Sequence, residues 1–205
     1  MNAHPLDEQG LCGLCRRGAN GFDAAYSFGA YEGTLRELIH LFKYQRIRTL
    51  AAPLGMMLVS ALPRDERFDV ISPMPMHWMR RWQRGFNQAE LLARMIGRRT
   101  GIPVRNLVRR RRATAPQAGL SNAQRRSNVA GVFAVRRRTG IAGRRILLVD
   151  DVFTTGATAS ACAAALKRAG AARVTVLTLA RTDRRLAVEM PAPPAGMKPE
   201  AVGAA

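Results

Sequence analysis

Cysteine, tryptophan and long hydrophobic runs are scarce in this chain of 205 residues, and each shortage excludes a class of protein. Three cysteines, an odd number, argue against a disulfide-stapled secreted domain and fit a reducing compartment. No run of about 18 apolar residues occurs, so a membrane span is not expected. Residues 1–10 are polar and acidic, and no signal peptide is visible there. These absences predict a cytoplasmic protein.

Acidic residues are also few: 14 stand against 33 lysines and arginines, which gives a formal net charge of +19. Such an excess predicts attraction to polyanions, either nucleic acids or phosphorylated metabolites. The alternative is a solvated basic surface without a dedicated partner. The candidate nucleic-acid surface is Arg109, Arg110, Arg111 and Arg112 together with Arg136–Arg138. Only two tryptophans, Trp78 and Trp82, are available for base stacking, so phosphate contacts would dominate such binding.

One stretch carries the pattern of a buried strand, a loop, a helix and a second strand. Its parts are, in order, the apolar strand Ile146–Val149, the acids Asp150 and Asp151 at which that strand stops, the loop Thr154–Thr158, an alanine-rich helix over 159–169, the helix-ending Gly170 and a β-branched strand over 173–179. The apolar run predicts a strand buried on both faces. Alanine favours the helix, and glycine suits its left-handed cap. A strand, helix and strand this close together predict two parallel strands.

Three features coincide at the carboxyl end of the first of these strands. The N-terminus of a helix offers backbone N–H groups and a dipole that favour an anion. Three threonine hydroxyls add donors, and Gly156 lets the backbone approach a phosphate closely. Asp150 and Asp151 are placed either to accept hydrogen bonds from the vicinal hydroxyls of a sugar or to hold a divalent cation. This combination predicts a ribose 5-phosphate site, and the alternative is that the acids only cap the next turn.

Patterns elsewhere predict the rest of an α/β domain. The expected elements are a paired strand or hairpin over 22–31, a helix over 34–44 capped by Thr34, a helix over 51–62, strands over 68–72 and 104–108, a helix over 87–100 and a strand over 132–135. A second phosphate-sized site is expected after the strand 68–72, where the forked guanidinium of Arg84 suits pyrophosphate oxygens. The alternative is a charged turn. The polar segment 114–128 has the length of a lid.

Two motifs carry a resemblance to a known family. Residues 147–158, Leu-Leu-Val-Asp-Asp-Val-Phe-Thr-Thr-Gly-Ala-Thr, resemble the phosphoribosyl pyrophosphate (PRPP) motif of type I phosphoribosyltransferases. Residues 84–93, Arg-Gly-Phe-Asn-Gln-Ala-Glu-Leu-Leu-Ala, resemble the hallmark of the ComF family. The segment 39–44 is also similar to that family. So is a spaced set in the central loop: Thr114, Gln117, Leu120, Arg125, Asn128 and Phe133. A Walker-type ATPase is excluded because the sequence contains no Gly-Lys-Ser/Thr loop.

The resemblance implies a type I phosphoribosyltransferase fold over residues 22–185, a parallel sheet flanked by helices with a small hood and a mobile loop. It implies that Asp150 and Asp151 hold the ribose hydroxyls, and that the 5-phosphate is bound by Thr154, Thr155, Gly156, Ala157 and Thr158. The implied pyrophosphate loop consists of Pro75, Met76 and His77. The implied mobile loop contains Gln117, Arg125 and Asn128. Mg²⁺ would bridge PRPP oxygens, and Arg84 would stabilise the leaving pyrophosphate. An amine or base would take C1 of the ribose.

The ComF resemblance further implies a part in DNA uptake during natural transformation, beside a ComFA-like helicase. A non-catalytic alternative is a PRPP sensor that binds single-stranded DNA. ComF-like proteins usually open with a four-cysteine zinc ribbon, and residues 1–21 retain only Cys12 and Cys15. The cysteine set is therefore incomplete for zinc. The segment 186–205, rich in Pro, Ala and Gly, is expected to be disordered. The sequence does not determine the oligomeric state.

Overall fold

The structure is a computed structural model that describes residues 21–45, 47–76, 82, 85–111, 131–136 and 140–182. Its strands are β1 (Ala24–Ala30), β2 (Val70–Pro73), β3 (Val108–Arg110), β4 (Phe133–Val135), β5 (Arg145–Phe153) and β6 (Arg173–Arg181). Its helices are α1 (Gly33–Tyr44), α2 (Ala51–Ser60), α3 (Gln88–Thr100) and α4 (Ala157–Arg168), and a short 3-10 helix (Arg48–Leu50) precedes α2. None of the helices in these ranges is long and apolar enough to cross a membrane.

Four parallel strands form the main sheet in the order β1-β6-β5-β2. The central strand β5 pairs with β6 on one side and with β2 on the other. Its apolar run Ile146–Val149 is fully buried, which is what a strand covered on both faces requires. The predicted α/β fold, a parallel sheet flanked by helices, is therefore confirmed, and so is the unit formed by β5, α4 and β6.

Alternate side chains of β5 enter two hydrophobic layers, one on each face of the sheet. Ile146 and Leu148 pack in the layer that contains α4, and Leu147 and Val149 pack in the layer that contains α1, α2 and α3. Each such buried side chain contributes roughly 1.5–3 kcal/mol to folding. Successive strand residues point to opposite faces. Asp150 therefore lies on the same face as Ile146 and Leu148, and Asp151 lies on the same face as Leu147 and Val149. The two acids consequently leave the sheet on different sides.

The prediction that this strand stops at the acids is wrong. The ladder continues past them, with Asp150 opposite Thr178 and Phe153 opposite Arg181. Backbone pairing with β6 does not depend on side-chain charge, so the ladder continues although the acids are largely buried. The acids therefore sit on a rigid strand rather than on a loop.

Several smaller boundaries also differ from prediction. Helix α1 begins at Gly33 with Glu32 at its N-cap and without a side-chain cap, so Thr34 does not cap it. Helix α4 begins at Ala157, two residues early. The strand expected over 104–108 is reduced to one bridge between Val104 and Ile71, and β3 starts only at Val108. Of the two alternatives predicted for 22–31, the paired strand is confirmed, because β1 pairs in parallel with β6.

Strands β3 and β4 form a separate antiparallel sheet of two strands. Phe133 and Val108 of this hairpin join the hydrophobic layer that contains α4. The hairpin thus reaches the same end of the main sheet as the acids. Three predicted segments lie outside the described residues: the central loop 114–128, the N-terminal segment 1–20 and the tail 183–205. The mobile loop, the incomplete set of zinc ligands and the disordered tail therefore stay predictions.

Candidate functional site

A cleft of about 310 Å³ opens at the carboxyl end of the parallel sheet, where β2 and β5 end and α3 and α4 begin. Open α/β sheets bind ligands in this position, beyond the carboxyl ends of their strands. The lining residues are Tyr31, Lys43, Met74, Pro75, Met76, Asn87, Gln88, Ala89, Arg110, Asp150, Asp151, Val152, Phe153, Thr154, Gly156, Ala157, Thr158 and Ala159. Both predicted acids and most of the predicted phosphate loop therefore share one cleft.

Gly156 shapes the turn that brings the N-terminus of α4 to the cleft. It is the N-cap of α4 and has a positive φ of 72°. A Cβ atom on Gly156 would lie 2.5 Å from Cζ of Phe153, so a side chain is excluded by space as well as by backbone conformation. The backbone N–H groups of the first turn of α4 consequently open onto the cleft, where the helix dipole favours an anion.

Four of the five residues predicted to bind a 5-phosphate line the cleft, namely Thr154, Gly156, Ala157 and Thr158. Thr155 is absent from the lining. Its hydroxyl oxygen accepts a hydrogen bond of 3.4 Å from the Ala157 backbone N–H, which stabilises the turn locally. The structure therefore gives Thr155 a place in the shape of the loop rather than in the wall of the cleft.

The two acids line the cleft from opposite faces of the sheet. The backbone N–H of Asp151 donates a 2.9 Å hydrogen bond to Oδ1 of Asp150. Burial and the adjacent charge of Asp151 raise the pKa of Asp150 from 3.8 to about 7, although this hydrogen bond, Lys43 and Arg110 pull it down. Asp150 is thus near its point of half-protonation at neutral pH.

Lys43, at the end of α1, provides a cation for the other acid. Its Nζ lies 3.1 Å from Oδ1 of Asp151, and the two side chains are only 15% and 14% exposed. Burial alone would lower the pKa of Lys43, but the charge and hydrogen bond of Asp151 outweigh burial and raise it above its ordinary value. Lys43 therefore remains charged in the cleft at physiological pH and leaves N–H donors beyond the one that faces Asp151.

The loop after β2 is fixed by the side chain of Asn87. Its Nδ2 donates to the Met74 carbonyl oxygen at 3.0 Å, and its Oδ1 accepts from the Ala89 backbone N–H at 3.2 Å. One buried side chain thereby caps α3 and holds the loop that leads to Pro75 and Met76. Both of these predicted pyrophosphate-loop residues line the cleft.

The arginine run 109–112 divides according to the alternation of strand β3. Arg109 and Arg111 are exposed, whereas Arg110 is half-buried and lines the cleft. The guanidinium carbon of Arg110 lies 5.7 Å from the centre of the Phe133 ring. The prediction of one continuous arginine surface does not separate these faces, because a run of identical residues carries no alternation of its own.

Other predicted site residues fall outside the described part of the chain. These are His77, Arg84, Arg112, Gln117, Arg125 and Asn128. Conversely, ten of the lining residues were not among the predicted PRPP contacts, and five of these ten have polar side chains: Tyr31, Lys43, Asn87, Gln88 and Arg110. Asn87 and Gln88 belong to the motif 84–93, which did not place them in the cleft. Only the fold brings Lys43 at the end of α1 and Arg110 of the hairpin to the acids.

Sequence similarity relates this arrangement to known proteins. A family model described as "Phosphoribosyl transferase domain" matches residues 83–192, more than half of the chain. Competence protein F of Haemophilus influenzae is 34% identical over 178 residues, which cover 83% of this chain and 78% of that protein. The chain belongs to the ComF family. Its fold is that of a phosphoribosyltransferase domain. The cleft lies at the carboxyl ends of the parallel strands of that domain.

Two further relatives of this ComF-family chain carry informative names. DNA utilization protein YhgH of Escherichia coli is 34% identical over 178 residues, covering 83% of this chain and 78% of YhgH. Competence protein ComFC of Bacillus subtilis is 29% identical over 157 residues, covering 74% of this chain and 62% of ComFC. The matched family model begins at residue 83, so Tyr31 and Lys43 reach the cleft from chain that precedes it.

Proposed function

We propose that this ComF-family chain binds PRPP in the cleft and supports transfer of its phosphoribosyl group to a nitrogen acceptor. One observation carries the proposal: the N-terminus of α4 and a pair of carboxylates line the same cleft at the end of β5. A helix N-terminus suits a phosphate, and carboxylates suit the hydroxyls of a sugar. PRPP carries both groups on one ribose.

The two acids would act differently toward the ribose. Asp151 is held beside Lys43 through Oδ1, and its second oxygen can accept a hydrogen bond from a ribose hydroxyl. Asp150, with its pKa near 7, would give up its proton when a ribose hydroxyl donates to it. Because the two side chains leave opposite faces of β5, they can accept hydrogen bonds from neighbouring ribose hydroxyls on two sides.

Magnesium would enter the site on the phosphate oxygens of PRPP. The described residues contain no group of three or more His, Cys, Asp or Glu side chains that could hold a metal ion. Mg²⁺ is usually bound through substrate phosphates with few protein ligands, so this donor set fits a metal that arrives with its substrate. When bound, Mg²⁺ neutralises charge on the leaving pyrophosphate.

The protein's own part in the transfer is positioning and electrostatic stabilisation. The bond between C1 and the pyrophosphate oxygen breaks with its electrons on pyrophosphate, and the acceptor nitrogen forms the new bond to C1. Lys43 and Arg110 line the cleft and add positive charge near a highly charged ligand. Arg84, at the second predicted phosphate site, stays a predicted contact.

Calorimetric titration with PRPP and Mg²⁺ tests the binding proposal. The wild type is expected to show saturable binding, and the double variant Asp150→Asn/Asp151→Asn is expected to weaken it at least tenfold. Asparagine preserves side-chain volume, so the double variant is expected to remain folded, which circular dichroism checks. Loss of binding in a folded variant is then attributable to the carboxylates. Equal affinity in wild type and variant would refute the role of the acids. Pyrophosphate release with a panel of nucleobases and amines then tests transfer.

A role in DNA uptake is a second candidate, favoured by the net charge of +19 and by the names of the competence and DNA utilization relatives. The described and exposed arginines of the proposed DNA surface are Arg109, Arg111 and Arg136. Arg109 lies in β3, and Arg111 follows it directly. Contacts of this kind go to phosphates and weaken as salt rises. A ComFA-like helicase as partner stays a prediction.

Filter binding of a single-stranded oligonucleotide across a salt series tests this second candidate. Replacing Arg109 and Arg111 by serine should reduce the slope of log affinity against log salt by about 1.4, the value for two single-strand phosphate contacts. Serines at Arg98 and Arg99, which are equally exposed on α3, serve as the matched control and should leave the slope closer to wild type. A flat salt response of the wild type would contradict DNA binding.

A further inference from the structure

The side-chain amide of Gln88 stands out within the cleft. Gln88 is fully buried and is one of the lining residues. Neither its Nε2 nor its Oε1 has a hydrogen-bond partner among the residues that the structure describes. Buried amide groups are almost always hydrogen-bonded, and leaving both ends unpaired destabilises the empty protein.

The neighbouring residue shows that this helix end is otherwise well satisfied. Asn87 carries the same amide group, is also buried, and uses both of its ends, donating to Met74 and accepting from Ala89. Loose packing at the start of α3 therefore does not explain the unpaired amide of Gln88. An unpaired polar group that lines a cleft is better explained by a ligand that completes its hydrogen bonds.

The chemistry of the amide restricts what that ligand fragment is. A primary amide offers N–H donors and a carbonyl acceptor side by side. A phosphate or pyrophosphate oxygen only accepts, so it would leave Oε1 of Gln88 unpaired. An ammonium group only donates and would leave Nε2 unpaired. A carboxamide or a lactam presents one donor and one acceptor together and satisfies both ends.

We propose that Gln88 recognises a second ligand that enters the PRPP-loaded cleft and presents a carboxamide or lactam edge. The inference rests on the proposed PRPP site, because the helix N-terminus of α4 and the acids account for the phosphate and the ribose and leave Gln88 for the other substrate. Gln88 is then a specificity residue for the acceptor. A site that hydrogen-bonds a polar edge discriminates strongly against compounds that lack it.

Three probes on one ring test the recognition: benzamide, which has both a donor and an acceptor; benzoate, which only accepts; and benzylammonium, which only donates. Their binding to protein saturated with PRPP and Mg²⁺ is measured by ligand-observed NMR. We expect wild type to bind benzamide at least tenfold tighter than either other probe. Gln88→Met, which matches the volume of glutamine, should lose this preference. Gln88→Glu, which only accepts, should shift it toward benzylammonium.

Two further measurements on the same variants separate the alternatives. PRPP affinity should stay within twofold of wild type in Gln88→Met, and the melting temperature of the ligand-free variant should equal or exceed that of wild type, since an unpaired polar group is removed. A destabilised or unfolded Gln88→Met would show that the amide has a structural partner. A loss of PRPP affinity in a stable variant would place Gln88 in the PRPP subsite. Either result overturns the inference and leaves the proposed function standing.

Failure of the proposed function gives a different pattern. If wild type binds PRPP but shows no preference for benzamide, only the inference about Gln88 falls. If wild type does not bind PRPP at all, the proposed function falls, and the inference falls with it.

Discussion

Replacing Lys43 by methionine removes the ammonium group that lies 3.1 Å from Asp151 and keeps an unbranched side chain in its place. The variant leaves a largely buried carboxylate beside a second carboxylate, that of Asp150, with less positive charge to balance them. This substitution therefore tests whether the charges of the cleft are coupled as the structure indicates. It does not alter α4 or the loop 154–158.

The expected magnitude follows from distance and burial. Two unit charges 3.1 Å apart attract by about 5 kcal/mol at an effective dielectric constant of about 20. Part of this attraction is offset by the cost of burying Lys43, and removal of one partner from a buried pair typically destabilises a protein by about 3–5 kcal/mol. Exposed pairs contribute only about 0–1 kcal/mol. With both side chains about 15% exposed, Lys43→Met belongs to the first case.

Chemical denaturation of four proteins measures the coupling: wild type, Lys43→Met, Asp151→Asn and the double variant. We expect Lys43→Met to lower the free energy of unfolding by about 3 kcal/mol or more at pH 8. The double variant should recover at least half of this loss, because no charge is left unpaired at that position. A loss below about 1 kcal/mol, or no recovery in the double variant, would refute the buried pair.

Measuring the free energy of unfolding of wild type and Lys43→Met at two pH values tests the direction of the effect on Asp150. Lys43 lowers the pKa of Asp150, so its removal lets folded Asp150 keep its proton to a higher pH. An acid whose pKa is higher when folded than when unfolded costs stability as pH rises from about 4 through the folded value. The gap between wild type and Lys43→Met should therefore be larger at pH 8 than at pH 5. PRPP affinity should fall too, since two acids would then face a polyanion.

Three further predictions concern single side chains of the cleft. Gly156→Ala should weaken PRPP binding at least tenfold in calorimetry, because its Cβ would lie 2.5 Å from the Phe153 ring; Gly101→Ala has nearly the same positive φ and open space around it, and should cost stability but not affinity. Asp150→Asn should gain melting temperature relative to wild type between pH 5 and pH 8, because folded Asp150 has its pKa raised to about 7 and loses stability over that range; a constant difference would contradict it. Asn87→Asp should lose about 2 kcal/mol in denaturation, because a carboxylate oxygen would then face the Met74 carbonyl, and a loss below about 0.5 kcal/mol would show that this contact does not hold the loop.

The sequence predicted the central unit well because its signals are local. An unbroken apolar run, an alanine-rich segment and Gly170 at the helix end each state a backbone preference, and together they placed β5, α4 and β6 to within a few residues. The end of β5 was missed for a physical reason. Charge at Asp150 and Asp151 indicated a loop, but the ladder with β6 holds the backbone extended beyond both residues.

The charge partners of the acids were not predictable in this way. Lys43 has a sufficient local explanation as a basic residue at the end of a helix, and only the fold shows that this helix ends beside Asp151. Arg110 belongs to a run in which all residues look alike, and only the face it takes in β3 separates it from its exposed neighbours. Gln88 belongs to the motif 84–93, but that motif does not state a role for its amide, which is visible only from its burial and its missing partners.

A crystal structure of the protein with PRPP and Mg²⁺ tests the central claim most directly. We predict that the 5-phosphate lies at the N-terminus of α4, within hydrogen-bond reach of the backbone of Gly156, Ala157 and Thr158, and that the ribose hydroxyls contact Asp150 and Asp151. A phosphate bound only by surface arginines, with the carboxylates still empty of sugar, would contradict it.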